Sequence, residues 1–145
     1  MCGIIAVLRR KSRRSPPAAA VVEQAVAHAV RTLHAGFTAR HIDDAASALR
    51  ALDDQLRGVP GLMCLLAHPA TTAAAKSQLS SLHEQVAAFE RSLDQSSNDA
   101  VDEQIELRNA ALVRLKDALW SVWQDRIPHA EAVRELAGNG AIGLS

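Results

Sequence analysis

Cys2 stands directly behind the initiator methionine in Met-Cys-Gly-Ile-Ile-Ala-Val, and no other residue of the chain is so well placed for covalent chemistry. The thiolate is the attacking form of cysteine, and an ordinary thiol, with a pKa of about 8.5, is little ionised at neutral pH. An α-amine titrates at about 7.7–8.0, so it can take up and return a proton near neutrality. With Met1 removed, as the small side chain at position 2 favours, Cys2 would carry a nucleophile and its base in one residue. The plain alternative is an inert thiol at a frayed terminus. The next six residues argue against fraying. Gly3 to Leu8 is an apolar run rich in β-branched residues and ended by charge, too short for a helix, and it reads as a buried strand that would hold the terminus in place.

Other chemistry-bearing residues are weaker candidates. The six histidines, His28, His34, His41, His68, His83 and His129, include no i, i+3 or i+4 pair on one helix and no cysteine at zinc-like spacing, so no metal site is expected. His28 lies near the apolar stripe of its helix and reads as a core histidine. Asp43–Asp44 and Asp53–Asp54 are adjacent pairs, and neighbours on a helix point apart, so both read as solvated faces rather than acid–base dyads. Trp120 and Trp123 read as core or semi-core packing, with a partner-contact role as the alternative. Arg9, Arg10, Lys11, Arg13 and Arg14 form a basic cluster with no aromatic residue interleaved, which leaves nucleic-acid bases nothing to stack on. A solvated loop is the expectation there.

The opening heptapeptide resembles the start of class II glutamine amidotransferases, the N-terminal-nucleophile family. The overall pattern, an Arg-rich break and then a long helical region, is similar to long isomerising glutamine–fructose-6-phosphate aminotransferase (glucosamine-6-phosphate synthase) proteins with a sugar-isomerase (SIS) domain. The resemblance implies that Cys2 attacks the side-chain amide of glutamine, giving a glutamyl thioester and ammonia, that water then releases glutamate, and that ammonia passes to a sugar phosphate in a second domain. It covers about the first eight residues. The Arg-Gly-x-Asp-Ser-Ala-Gly-like segment, the arginine-bearing strand that grips glutamine and the oxyanion-hole Asn-Gly pair of the family do not come after it in order. Arg57-Gly58 is followed by Val59-Pro60, and Asn139-Gly140 has no upstream partners. The resemblance therefore implies partners that complete the site, in cis or in trans, and an inactive chain without them. It implies no cofactor and no metal.

The elements that must position Cys2 are mostly helical by pattern. With 145 residues, 48% hydrophobic and 22% charged, the chain has the composition of one ordinary globular domain. The net charge of zero gives no global field toward nucleic acid or membrane. No stretch approaches the ~20 apolar residues of a membrane span. Basic residues come after the first apolar run rather than before it, unlike a secretory signal. Two cysteines, Cys2 and Cys64, do not make a disulfide scaffold, and a cytoplasmic location is expected.

The expected fold class is mostly α: four to five antiparallel helices plus one N-terminal strand belonging to an incomplete αββα glutaminase sheet. The expected organisation is that strand over 1–8, a basic loop over 9–16, a helical bundle inserted over 17–137 and a terminal loop over 138–145. Within the bundle, apolar stripes predict helices from Pro17 to Ala35 and from Ala39 to Arg57. Gly-Val-Pro-Gly at 58–61 predicts a turn, leading into a short buried turn or helix stopped at His68. A third long helix would start at a Thr71 or Thr72 cap and reach Asp94. The last would run from a Ser97 or Asn98 cap to Arg126, be interrupted by Pro128 and resume to Ala137. A lone strand lacks partners for its backbone groups, which favours an amidotransferase piece. The competing reading is a non-catalytic helical-bundle interaction or scaffold module.

Overall fold

A computed structural model of the protein describes residues 13–95 and 103–138. Cys2, the expected strand over 3–8, the expected caps Ser97 and Asn98 and most of the terminal loop lie outside the described residues. Within them the chain is mostly helical and contains no strand: α1 (Ala19–Ala35), α2 (Ala39–Gln55), α3 (Gly58–Ala67), α4 (Pro69–Gln95), α5 (Glu103–Trp120) and α6 (Ile127–Gly138), with a π-helical turn (Ser121–Arg126) joining the last two.

The apolar stripes explain the core. Val22, Val26, Ala29 and Leu33 of α1 are buried, as are Ile42, Ala45, Ala46, Leu49, Leu52 and Leu56 on and just beyond α2. Leu79, Leu82 and Val86 of α4 and Leu112, Leu115 and Leu119 of α5 close the same cluster. Each set recurs at i, i+3 and i+4 and makes one apolar face per helix.

Ion pairs and ring contacts reveal the helix directions. Asp43 meets Arg114 and Asp53 meets Arg126, so α2 and α5 run parallel. Glu23 accepts from Thr71, and Phe37, just past α1, stacks on Phe89, so α1 and α4 also run parallel. Glu90 with Lys116, His83 with Trp123 and Lys76 with Glu131 set α4 antiparallel to the whole α5–α6 stretch. The three-residue link from α1 to α2 makes that pair antiparallel. Successive long helices thus alternate in direction, as expected, yet two of the four side-by-side pairs are parallel. The reason is that α3 carries the chain across one end of the bundle, against α4 and α6, before α4 begins.

Three boundaries differ from expectation. The expected turn at 58–61 is the first turn of α3, where the missing N–H of Pro60 costs nothing. Helix α4 begins at Pro69 rather than at a threonine cap: the His68 carbonyl accepts from the Thr72 amide at 3.0 Å, and Pro69 takes the first helical position. Thr72 is buried, with its hydroxyl 2.9 Å from His68 O and 3.0 Å from Leu65 O. Pro128 does not interrupt the last helix. Its ring would strike the carbonyl four residues back in an α-helix, and the π turn gives that carbonyl room. The Ile127 amide reaches Val122 O, a five-residue span instead of four.

Two glycines do different work at the α2–α3 corner. Gly58 has φ of 70°, in the left-handed region, and an added Cβ would make only an ordinary contact, 3.9 Å from Pro60 Cδ. Gly61 is buried against the α2 terminus, where an added Cβ would lie 2.0 Å from Leu56 O. Gly58→Ala should cost about 1–2 kcal/mol through backbone strain alone. Gly61→Ala should cost about 3 kcal/mol or more, because backbone must move. Urea unfolding of the two variants checks the order, and equal losses would refute the close approach.

Candidate functional site

The described residues contain no exposed thiol. Cys64 on α3 is 1% exposed and unbridged, and burial pushes its thiol pKa up, so it stays protonated and inert. Cys2, the expected nucleophile, lies outside the described residues. Among the described residues no three His, Cys, Asp or Glu side chains are gathered for a metal ion, and no helix is long and apolar enough to cross a membrane.

The most organised polar cluster centres on Asp53. Adjacent acids on α2 read as a solvated face, and for Asp53 the structure overturns that reading: it is 7% exposed and lies among core leucines. The reason is its position in the apolar stripe, four residues past Leu49 and three before Leu56. Its Oδ1 accepts from Arg126 Nε at 2.8 Å, and its Oδ2 lies 3.4 Å from Arg57 Nε and Nη2. The hydrogen bond to Asp53 raises the Arg126 pKa above its ordinary value, outweighing the opposing effect of burial, with Asp53, Asp125 and Asp54 adding smaller attractions. Asp54, the other member of the pair, is exposed as expected and meets Arg57 at 3.3 Å.

Arg14, from the basic cluster, is no idle loop residue. Its guanidinium donates to Asp54 O at 2.9 Å, to Gln55 O at 3.1 Å and to Arg57 O, covering the carbonyl end of α2. A cation there answers both the orphan carbonyls and the negative end of the helix dipole. Arg134 does the same for α3, donating to Leu65 O at 2.9 Å.

Two hollows border this cluster. One, of about 360 Å³, lies between α3 and the π turn, with Leu56, Val59, Leu62 and Leu65 facing Asp125, Arg126 and His129. The other, of about 220 Å³, runs between α2 and α5 and is lined mainly by charged and hydroxyl groups.

The remaining candidates are scattered. His28 is exposed, not in the core, because it falls between stripe positions. Thr38 caps α2, its hydroxyl accepting from the His41 amide at 3.2 Å, and the His41 ring Nδ1 lies 3.0 Å from the same oxygen. Trp123 packs partly buried against His83, with ring centres 4.8 Å apart. Trp120, expected in or near the core, is 61% exposed. Pattern reading missed Arg14, Asp53, Arg126 and Arg134. A carboxylate at a stripe position is the signal that could have revealed Asp53, since such a group needs a buried partner.

No family model, curated protein or solved structure matches the chain.

Removing one member of the Asp53–Arg126 pair strands the other in a partly buried setting. Asp53→Ala should therefore cost about 3 kcal/mol or more, against about 0–1 kcal/mol for Asp43→Ala at the half-exposed pair with Arg114. Chemical denaturation of both variants measures the difference.

Proposed function

We propose that this chain is the N-terminal part of a class II glutamine amidotransferase, with Cys2 as nucleophile and the helical bundle as an insertion behind the first strand. The observation that carries the reading is the Cys-Gly-Ile-Ile-Ala-Val sequence immediately after Met1. In the proposed reaction the Cys2 sulfur bonds to the side-chain amide carbon of glutamine. The amide nitrogen leaves as ammonia, taking a proton relayed by the Cys2 α-amine. Water then cleaves the thioester to glutamate and regenerates the thiol. The acceptor of ammonia in this reading is a sugar phosphate, with fructose 6-phosphate implied by the resemblance alone. Glutamine clamp, oxyanion hole and companion strands come from the rest of the protein, in cis or in trans, and the chain by itself is inactive.

Two features of the helical part support an insertion. Its long helices bury their apolar stripes against one another, so the bundle needs no sheet to complete its core. Arg14 fixes the incoming chain to the end of α2, which gives the bundle a defined attachment close to the nucleophile segment.

The same self-sufficient core favours a second reading, a non-catalytic interaction or scaffold module. In it Trp120 and Val113, both exposed and seven residues apart on one face of α5, would meet a partner.

In the longest natural form of the protein, Cys2→Ala should abolish glutamine hydrolysis, a loss of about 10³-fold or more, with unfolding by heat unchanged. Intact mass should show Met1 removed. Glutaminase activity that survives Cys2→Ala, or retention of Met1 in an active preparation, overturns the amidotransferase reading. Absence of any glutaminase in wild type leaves the module reading standing.

A further inference from the structure

Helix α3 reads Gly-Val-Pro-Gly-Leu-Met-Cys-Leu-Leu-Ala and carries no charged, amide or hydroxyl side chain. A helix that is apolar all round is ordinarily enclosed all round. This one is enclosed on one side, where Pro60, Gly61, Cys64 and Leu65 are buried against the bundle. Val59, Leu62, Met63 and Leu66 make a second apolar stripe, at i, i+3, i+4 and i+7, on the opposite face. Val59 and Met63 are about half exposed, and Leu62 and Leu66 are partly buried. The hollow of about 360 Å³ runs along this stripe, with Val59 and Leu62 on one wall and Asp125, Arg126 and His129 on the other.

The size of the stripe suits a short occupant. The ten residues of α3 make a helix about 15 Å long, and a face about 10 Å wide offers roughly 150 Å². A stable interface with a second copy takes about 800 Å² from each partner.

Arg14 supplies an occupant of that size. Its guanidinium donates to the carbonyls of Asp54, Gln55 and Arg57, so the chain is tied down at the residue before Gly58, where α3 begins. Upstream lies the apolar run Gly3 to Leu8, with four large apolar side chains, Ile4, Ile5, Val7 and Leu8. Six residue steps separate Leu8 from Arg14, a reach of up to about 20 Å. That exceeds the length of α3, so the run can reach every part of the outer stripe. A segment on so short a tether is presented at an effective concentration of about millimolar, which favours it over any free partner at lower concentration.

We propose that the apolar run Gly3–Leu8 seats on the outer stripe of α3, in the same molecule, with Arg14 as its tether. The inference goes beyond the amidotransferase reading and does not rest on it. In that reading, companion strands would take up the same six residues, so seat and sheet compete for them and joining the sheet uncovers α3.

A nitroxide label on Cys2 of the 145-residue chain tests the proposal, because Cys64 is buried and does not compete for the reagent. In an isotopically labelled sample, the amide signals of residues 59, 62, 63 and 66 should lose most of their intensity and regain it when the nitroxide is reduced. Ile4→Asp with Ile5→Asp keeps tether and label but makes the run costly to bury, and should remove the loss. Val59→Ser with Met63→Ser should remove it as well, and the melting temperature should hold because both side chains are half exposed. None of these measurements involves glutamine, so failure here and failure of the glutaminase reading are separate results. The proposal is overturned if the label leaves the four signals unchanged or if either double variant keeps the full loss. It is also overturned if the loss persists when nitroxide and isotope are on different chains in a mixture, which would assign the stripe to a second copy.

Discussion

The partly buried pair of Asp53 and Arg126 is the constraint around which the rest of the bundle is arranged. A carboxylate inside an apolar stripe is unfavourable unless it is met by a charged donor with good geometry. The α5 stretch brings such a donor to α2 at that height, and it does so while also burying Leu119, Val122 and Ile127. The π turn makes both possible. One extra residue in a helical turn rotates everything beyond it by about 100°, so the faces before and after Ser121–Arg126 are set independently. Arg126 closes that turn, reaches Asp53, and the chain then passes Pro128 without breaking. The same pair fixes how far α5 slides along α2, and with Asp43–Arg114 it locks two parallel helices in one register. The pair need not add net stability to do this. A slipped register would leave a charge stranded, the kind of specificity that some buried polar groups supply.

The parallel arrangement has a cost at the ends of the bundle, and two arginines meet it. Helices α2 and α4 run antiparallel but do not lie side by side, so α2 must hand over to α4 by way of α3. The two short corners on that path leave helix-end carbonyl groups without the usual backbone donors four residues on. Arg14 covers those of α2 and Arg134 those of α3. One comes from before the first helix and the other from the last, so the corner is clasped by both ends of the described chain. Gly61 lets α3 lie against Leu56 closely enough for this to work.

The helices themselves are legible in the sequence because their stripes are long and regular. The α2 stripe from Ile42 to Leu56 is buried residue for residue. Local signals mislead where two readings share the same residues. Gly-Val-Pro-Gly suits a turn and equally the first turn of a helix, and tertiary packing against α2 decides between them. Pro128 breaks an α-helix but not one that widens ahead of it. Adjacent aspartates look solvated until one of them falls on the stripe, as Asp53 does and Asp54 does not. Which helices lie side by side is not legible, because it depends on single long-range contacts such as Arg114 with Asp43. Nothing in the periodicity of either helix encodes those contacts.

These features bear on how a terminal nucleophile and a helical bundle can belong to one protein. A nucleophile that carries its own base needs a fixed terminus, since reacting groups gain rate only when held in place. The fixed point nearest to Cys2 in the described chain is Arg14, bound to backbone carbonyls rather than to a mobile side chain. Backbone acceptors at a helix end move only with the helix, and α2 is itself locked to α5. A bundle built this way ties residue 14 to its most rigid pair. Such a point of attachment is what the proposed amidotransferase reading asks of an insertion.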